Sequence, residues 1–174
     1  MIWTGIDRVS DLFGYLSAAI FFLIGLMISF EVVSRYVFLA PTTWAEEGAR
    51  LLQLWGTYGA LAYILKTRAY IRITALVVIL PSRLRQFLEF FALLWVMSFS
   101  VVMIWYGYEI VRESIEIGRA TETMNQVPMV WTEAAIPIGF SLLVLQGCAE
   151  IYKLFKHGTL DHSDEQDELG REFH

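Results

Sequence analysis

Four stretches of the chain run without a charged residue: Leu12–Phe30 and Phe90–Tyr108, 19 residues each, Ala134–Ala149 with 16, and Leu51–Leu65 with 15. A helix rises about 1.5 Å per residue and a bilayer core is about 30 Å thick, so runs of this kind predict membrane-spanning helices. Met129, Val130 and Trp131 lengthen the last run if Glu133 is tolerated. A fifth run, Ile73–Leu80, has eight residues and stops at Pro81. It is too short to cross and predicts an interfacial helix or a bent extension of the second span. Leu12–Phe30 also exceeds the usual signal-peptide core, with only Arg8 before it, and is read as a retained span. The expected fold is all-α and integral to the membrane. Residues 1–158 form four tilted transmembrane helices, with a short interfacial helical segment after the second, and residues 159–174 form an acidic, solvated tail.

The residues between and beside these runs predict the boundaries. Pro41 ends the first helix, and Thr43 with Glu46 three positions on has the spacing of a capping box for the second. Ser82–Ile117 predicts one helix of about 54 Å, longer than the core it crosses, so it must tilt or protrude. Glu109, Arg112, Glu113 and Glu116 can pair at i,i+3 and i,i+4, which suits a solvated helix end, and Gly118 supplies a stop. Pro128 opens the last helix, and Pro137 kinks it.

Composition sharpens the class. The 174 residues are 56% hydrophobic and 18% charged, with mean hydropathy +0.52. Soluble domains run about 45–50% apolar and about 25% charged, and a small globule has too little interior for the excess. A soluble enzyme is thereby set aside. The net charge of −5 comes largely from Asp161, Asp164, Glu165, Asp167, Glu168 and Glu172 in the tail, and no basic patch points to nucleic acid. Lys and Arg set the orientation. With the N-terminus cytoplasmic, inside segments hold Arg8, Lys66, Arg68, Arg72, Arg83, Arg85, Lys153 and Lys156, against Arg35, Arg50, Arg112 and Arg119 outside. Both termini are therefore expected in the cytoplasm, with Lys66, Arg68, Arg72, Arg83 and Arg85 as the main anchor. Trp3, Tyr36, Trp44, Trp105, Tyr106, Tyr108 and Trp131 cluster near span ends, as interfacial aromatics do.

Candidate chemistry is sparse. His157, His162 and His174 all follow the last span, so none serves as an intramembrane haem ligand or activates a serine. Cys148 is the single cysteine. No catalytic, metal or cofactor site is expected. Ser98 and Ser100 read as helix-packing residues, as do the small pairs Gly14 and Ala18, Gly25 and Ser29, and Gly56 and Ala60. A coupled carrier keeps an ionisable group inside its spans. The four runs hold none, so the chain is expected to have no transport pathway of its own.

The informative segment is Glu31 to Arg50. Glu31 and Arg35 are i,i+4 at the end of the first helix, and Glu46 and Arg50 are i,i+4 at the start of the second. With Trp44 and Glu47 they form a charged, aromatic boundary that suits snorkelling and capping, or contact with a partner subunit or lipid headgroups. The same segment resembles the DctQ-like small membrane subunit of TRAP (tripartite ATP-independent periplasmic) transporters. The shared features are an Arg ending the first span, the Trp44-Ala45-Glu46-Glu47 opening of the second, then Trp55 and Gly59. Tyr70-Ile71-Arg72-Ile73-Thr74 stands where that family has a His-Ile-Arg-Val-Asp-like segment, and keeps only its Ile-Arg core. Pro81, Arg83 and Arg85 resemble the family's entry to its third span.

The resemblance implies a bacterial inner-membrane uptake system in three parts. A periplasmic binding protein captures an organic acid, and a large multi-span subunit carries it inward on a sodium gradient. The small subunit braces the large one's fixed scaffold, helps dock the binding protein and contacts phospholipid. Alternatives are the four-span small subunit of a tripartite tricarboxylate transporter, or an unrelated membrane scaffold protein. Trp44-Ala45-Glu46-Glu47 favours the TRAP reading.

Overall fold

A computed structural model describes residues 2–67, 82–121 and 126–157, without the side chains of residues 2–4, 82, 83, 85 and 157. The elements are α1 (Ile2–Tyr36), α2 (Trp44–Lys66), α3 (Ser82–Ile117), α4 (Val130–Glu133) and α5 (Ala135–His157). The chain is all-helical apart from turns and one isolated bridge between Ala120 and Pro128 among the described residues. In an apolar medium the backbone has no water to bond, and a helix satisfies each peptide group within its own segment. The expected interfacial segment and the acidic tail lie outside the described residues.

The long helices stand in the spatial order α1, α2, α5, α3, with α2 and α5 inside and α1 and α3 at the flanks. Small residues set the close approaches. A Cβ on Gly14 would fall 2.3 Å from the Tyr63 ring, and one on Gly139 would meet Tyr58 Cβ and carbonyl oxygen at 2.6 Å. Gly56 faces Ile20 and Phe21. Leu65, Phe140 and Leu143 form the buried apolar centre, with Tyr58 and Phe99 rings packed on Phe140. The pair Gly25 and Ser29 is not part of this packing. Nothing lies within 4 Å of a Gly25 Cβ, and Ser29 returns its hydroxyl to the Gly25 carbonyl. Ser98 is likewise exposed, whereas Ser100 is buried and bonded to the Val96 carbonyl.

Among the described residues, three stretches are long and apolar enough to cross a membrane: Gly5–Tyr36, Gln86–Ile117 and Val130–Lys156. α2 has 23 residues, but Glu46, Glu47 and Arg50 occupy its first two turns, so its apolar part is shorter. α3 is the single 36-residue helix that the sequence predicts. It ends at Gly118, whose φ of 67° is the left-handed geometry of a helix stop, and the Arg119 N–H closes on the Ser114 carbonyl. The last helix opens two residues after Pro128 and is interrupted at Ala134. Pro137 has no N–H, and its ring displaces the carbonyl four residues earlier, so the break falls one turn before it.

The capping box does not form. Thr43 already has helical angles, φ −86° and ψ −32°, and makes no side-chain cap bond. A capping residue needs extended angles to aim its oxygen back at the first turn. α1 also ends before Pro41: the chain leaves the helix after Tyr36 and reverses through Leu39, whose φ is 53°.

Candidate assembly site at the two ends of the bundle

At the turn end, where α1 passes to α2, Glu31 is 7% exposed and accepts from both sides of the loop, from Arg35 and Thr42. Arg35 donates from Nε and Nη2 to Glu31 Oε1, at 3.2 and 2.9 Å. Thr42 donates its backbone N–H at 3.0 Å to Oε2 and its hydroxyl to the same oxygen. Ser34 adds a 2.6 Å bond to the Ala40 carbonyl. Glu31, predicted as a boundary contact, is thus engaged within the chain as an internal clamp. The clamp holds out Tyr36, Val37, Phe38 and Leu39, each more than two-thirds exposed.

Of the other predicted boundary residues, Trp44, Glu46 and Arg50 face outward. Glu46 and Arg50 pair at 2.5 Å with both side chains exposed, and Trp44 is half exposed with its ring 6.0 Å from Phe30. Glu47 is half-buried beside them. On the other turn, Arg112 pairs with Glu116 at 2.9 Å, as the spacing predicts. Glu113 does not join that helix pair. It meets Arg119, which also lies 3.7 Å from Glu133 at the start of the last helix. The Trp55 indole donates to the Trp131 carbonyl at 2.9 Å and ties α2 to α4.

At the opposite end, where α1 begins and α5 finishes, the structure assembles a network that sequence reading does not foresee. Gln146 is fully buried. Its Nε2 donates to Asp7 Oδ1 and to Glu150 Oε1, both at 3.1 Å, and its Oε1 accepts from Ser10 Oγ at 2.7 Å. Lys153 Nζ donates at 2.8 Å to the same two carboxylate oxygens. Each carboxylate therefore takes one amide and one ammonium donor, a closed ring of charge-assisted bonds. Lys66 extends the network to α2, donating to Asp11 Oδ1 at 2.6 Å and to the Asp7 carbonyl at 3.2 Å. Lys66, expected as a cytoplasmic anchor, ties α2 to α1. Arg68 and Arg72 lie outside the described residues. Arg83 and Arg85 fall in the first turn of α3.

One signal in the sequence marks this network: Gln146 is a bulky polar residue within the uncharged run Ala134–Ala149, one turn before Glu150. Its partners on α1 are 136 and 139 residues away, beyond the reach of spacing rules. Chemically the network fastens helices, because its donors and acceptors answer one another. Among the described residues no group of three or more His, Cys, Asp or Glu is placed to hold a metal ion.

A profile of the family described as tripartite ATP-independent periplasmic transporters, DctQ component, matches residues 24–157, more than three-quarters of the chain. No curated protein matches it. The matched stretch runs from the middle of α1 to the end of α5 and includes the Glu31 clamp, the Glu46–Arg50 pair and the α5 half of the buried network. The chain belongs to the DctQ family, the small membrane component of TRAP transporters.

Proposed function

We propose that the chain is the non-translocating membrane subunit of a sodium-coupled TRAP transporter that imports an organic acid. It crosses the bacterial inner membrane four times with both termini in the cytoplasm. It braces the fixed scaffold of the large membrane subunit and helps to dock the periplasmic binding protein at the turn end. Trp44, Glu46, Glu47 and Arg50 take part in assembly, and Arg35 keeps the adjoining loop in place. The acidic tail, residues 159–174, is dispensable for assembly.

The observation that carries this reading is the placement of buried polarity. Among the described residues the buried charges are Glu31 and Glu150, at opposite ends of the bundle, and both are engaged by neighbouring side chains. Between those ends the buried polar groups of α1 and α3 include only the hydroxyls of Ser17 and Ser100. An organic acid crossing there would meet no fixed cation to offset its lost water. Vesicles holding this subunit alone should show no sodium-driven uptake when given the binding protein and its ligand, and adding the large subunit should restore it. Uptake by this chain alone, or full activity of the large subunit without it, would contradict the proposal.

A further inference from the structure

The outward face of α2 differs from that of its neighbours. On α1 and α3 the exposed residues are mostly large and apolar, among them Leu12, Phe22, Leu26, Phe91, Trp95 and Val101. That is the surface lipid chains accept. On α2 after Trp44, the exposed positions within the helix are Glu46, Arg50, Gln53 and Thr57, all polar. Their spacing of i, i+4, i+7 and i+11 confines them to an arc of about 60° at 3.6 residues per turn. Other faces of the helix are taken: Ala45, Ala49, Gly56, Gly59 and Ala62 are buried, with Gly56 and Gly59 set against α1 and the helix also packed along α5.

Depth matters here. Glu46 and Arg50 answer each other near the start of the helix. Gln53 and Thr57 lie inside the uncharged run Leu51–Leu65, with Thr57 about 10 Å along the axis from Arg50. A glutamine side chain carries two donors and an acceptor, and hydrocarbon offers it nothing. Polar side chains on membrane helices meet that need by bonding across to another helix.

We infer that the Glu46, Arg50, Gln53 and Thr57 face of α2 is the docking face for a membrane-spanning helix of the large subunit. Side chains of that helix hydrogen-bond Gln53 and Thr57 within the apolar layer, while its outer end meets the Glu46–Arg50 pair. The apolar flanks α1 and α3 are left to lipid. This inference rests on the subunit role proposed above and names the surface that performs it.

A photoreactive benzophenone side chain placed at position 53 or 57, in the whole transporter expressed in membranes, should form adducts with the large subunit. The same group at the lipid-facing positions Phe22 and Trp95 should not. Adducts only with lipid, or with a second copy of this chain, from a transporter that still purifies intact would overturn the docking face while leaving the subunit role standing. Failure of any large subunit to co-purify with the unaltered chain would remove both. In a second measurement, Gln53→Leu combined with Thr57→Val should lower recovery of the large subunit roughly five- to tenfold, two interhelical bonds' worth. The thermal midpoint of the isolated chain in detergent should not fall, since both positions are exposed. Unchanged recovery would overturn the inference.

Discussion

The two ends of the bundle hold similar inventories of charge and use them differently. At the turn end most ion pairs are local: Glu31 with Arg35, Glu46 with Arg50 and Arg112 with Glu116, each four residues apart on one helix. At the opposite end Asp7, Ser10, Asp11, Lys66, Gln146, Glu150 and Lys153 join three helices across 55 to 146 residues of chain. Exposed local pairs contribute roughly 0.2–1 kcal/mol and hold nothing together. A buried network leaves an uncompensated group behind when one member is removed, and so costs far more to break. One end therefore fastens the fold, while most ion pairs at the other end stay exposed. Glu31 is one exception at the turn end, because it is buried and bonded to a loop eleven residues away, and the Arg119–Glu133 contact is another.

The sharpest way to break this contrast is at Gln146 or Lys153. Lys153→Ala removes the ammonium partner of Glu150, which is nearly fully buried, and should cost about 2–4 kcal/mol of stability, below the full figure for a buried pair because the lysine keeps some water and Gln146 still donates to the carboxylate. Gln146→Leu should cost about 2 kcal/mol by leaving Ser10 and both carboxylates short of a partner. Denaturation midpoints in mild detergent measure both. A double-mutant cycle between Asp7→Asn and Lys153→Met should show coupling above about 1 kcal/mol. Additive effects would mean that the network is incidental.

A smaller effect is expected at Glu31. Glu31→Ala removes the acceptor for Arg35 and Thr42 and should cost about 1–2 kcal/mol. The loss should be local, seen as faster amide exchange over residues 37–43 while α5 keeps its protection. Exchange that rises equally in α5 would show that the two ends are not independent.

The smallest effects on stability belong to the exposed pairs. Glu46→Ala, Arg50→Ala and Arg112→Ala should each stay within about 0.5 kcal/mol of the parent. They should separate in assembly: the first two lower recovery of the large subunit, and Arg112→Ala leaves it unchanged. Equal recovery from all three would erase the distinction drawn between α2 and α3.

Local rules carried the sequence reading as far as they reach. The full length of α3, its stop at Gly118 and the break ahead of Pro137 follow from apolar runs, a left-handed glycine and a missing N–H, all decided within a few residues. The i,i+4 pairs follow from helical geometry. The capping box at Thr43 was lost because a cap depends on the angle at which the incoming loop arrives. That angle is set by the Glu31 bond to Thr42, a contact between two elements.

By itself, then, the sequence determined that this protein is a membrane-embedded helical chain, where most of its helices begin and end, and which family its α1–α2 boundary resembles. An apolar medium forces every backbone group to be satisfied within its own helix, so these features are legible one segment at a time. Only the tertiary structure decided that Glu31 turns inward while Glu46 and Arg50 turn outward, that Gln146 meets Asp7 and Ser10, and that α2 leaves one polar stripe uncovered. Each of these depends on which helix stands beside which. That order is settled by side-chain volume at glycine contacts such as Gly14 with Tyr63 and Gly139 with Tyr58, and by polar groups seeking partners more than a hundred residues away.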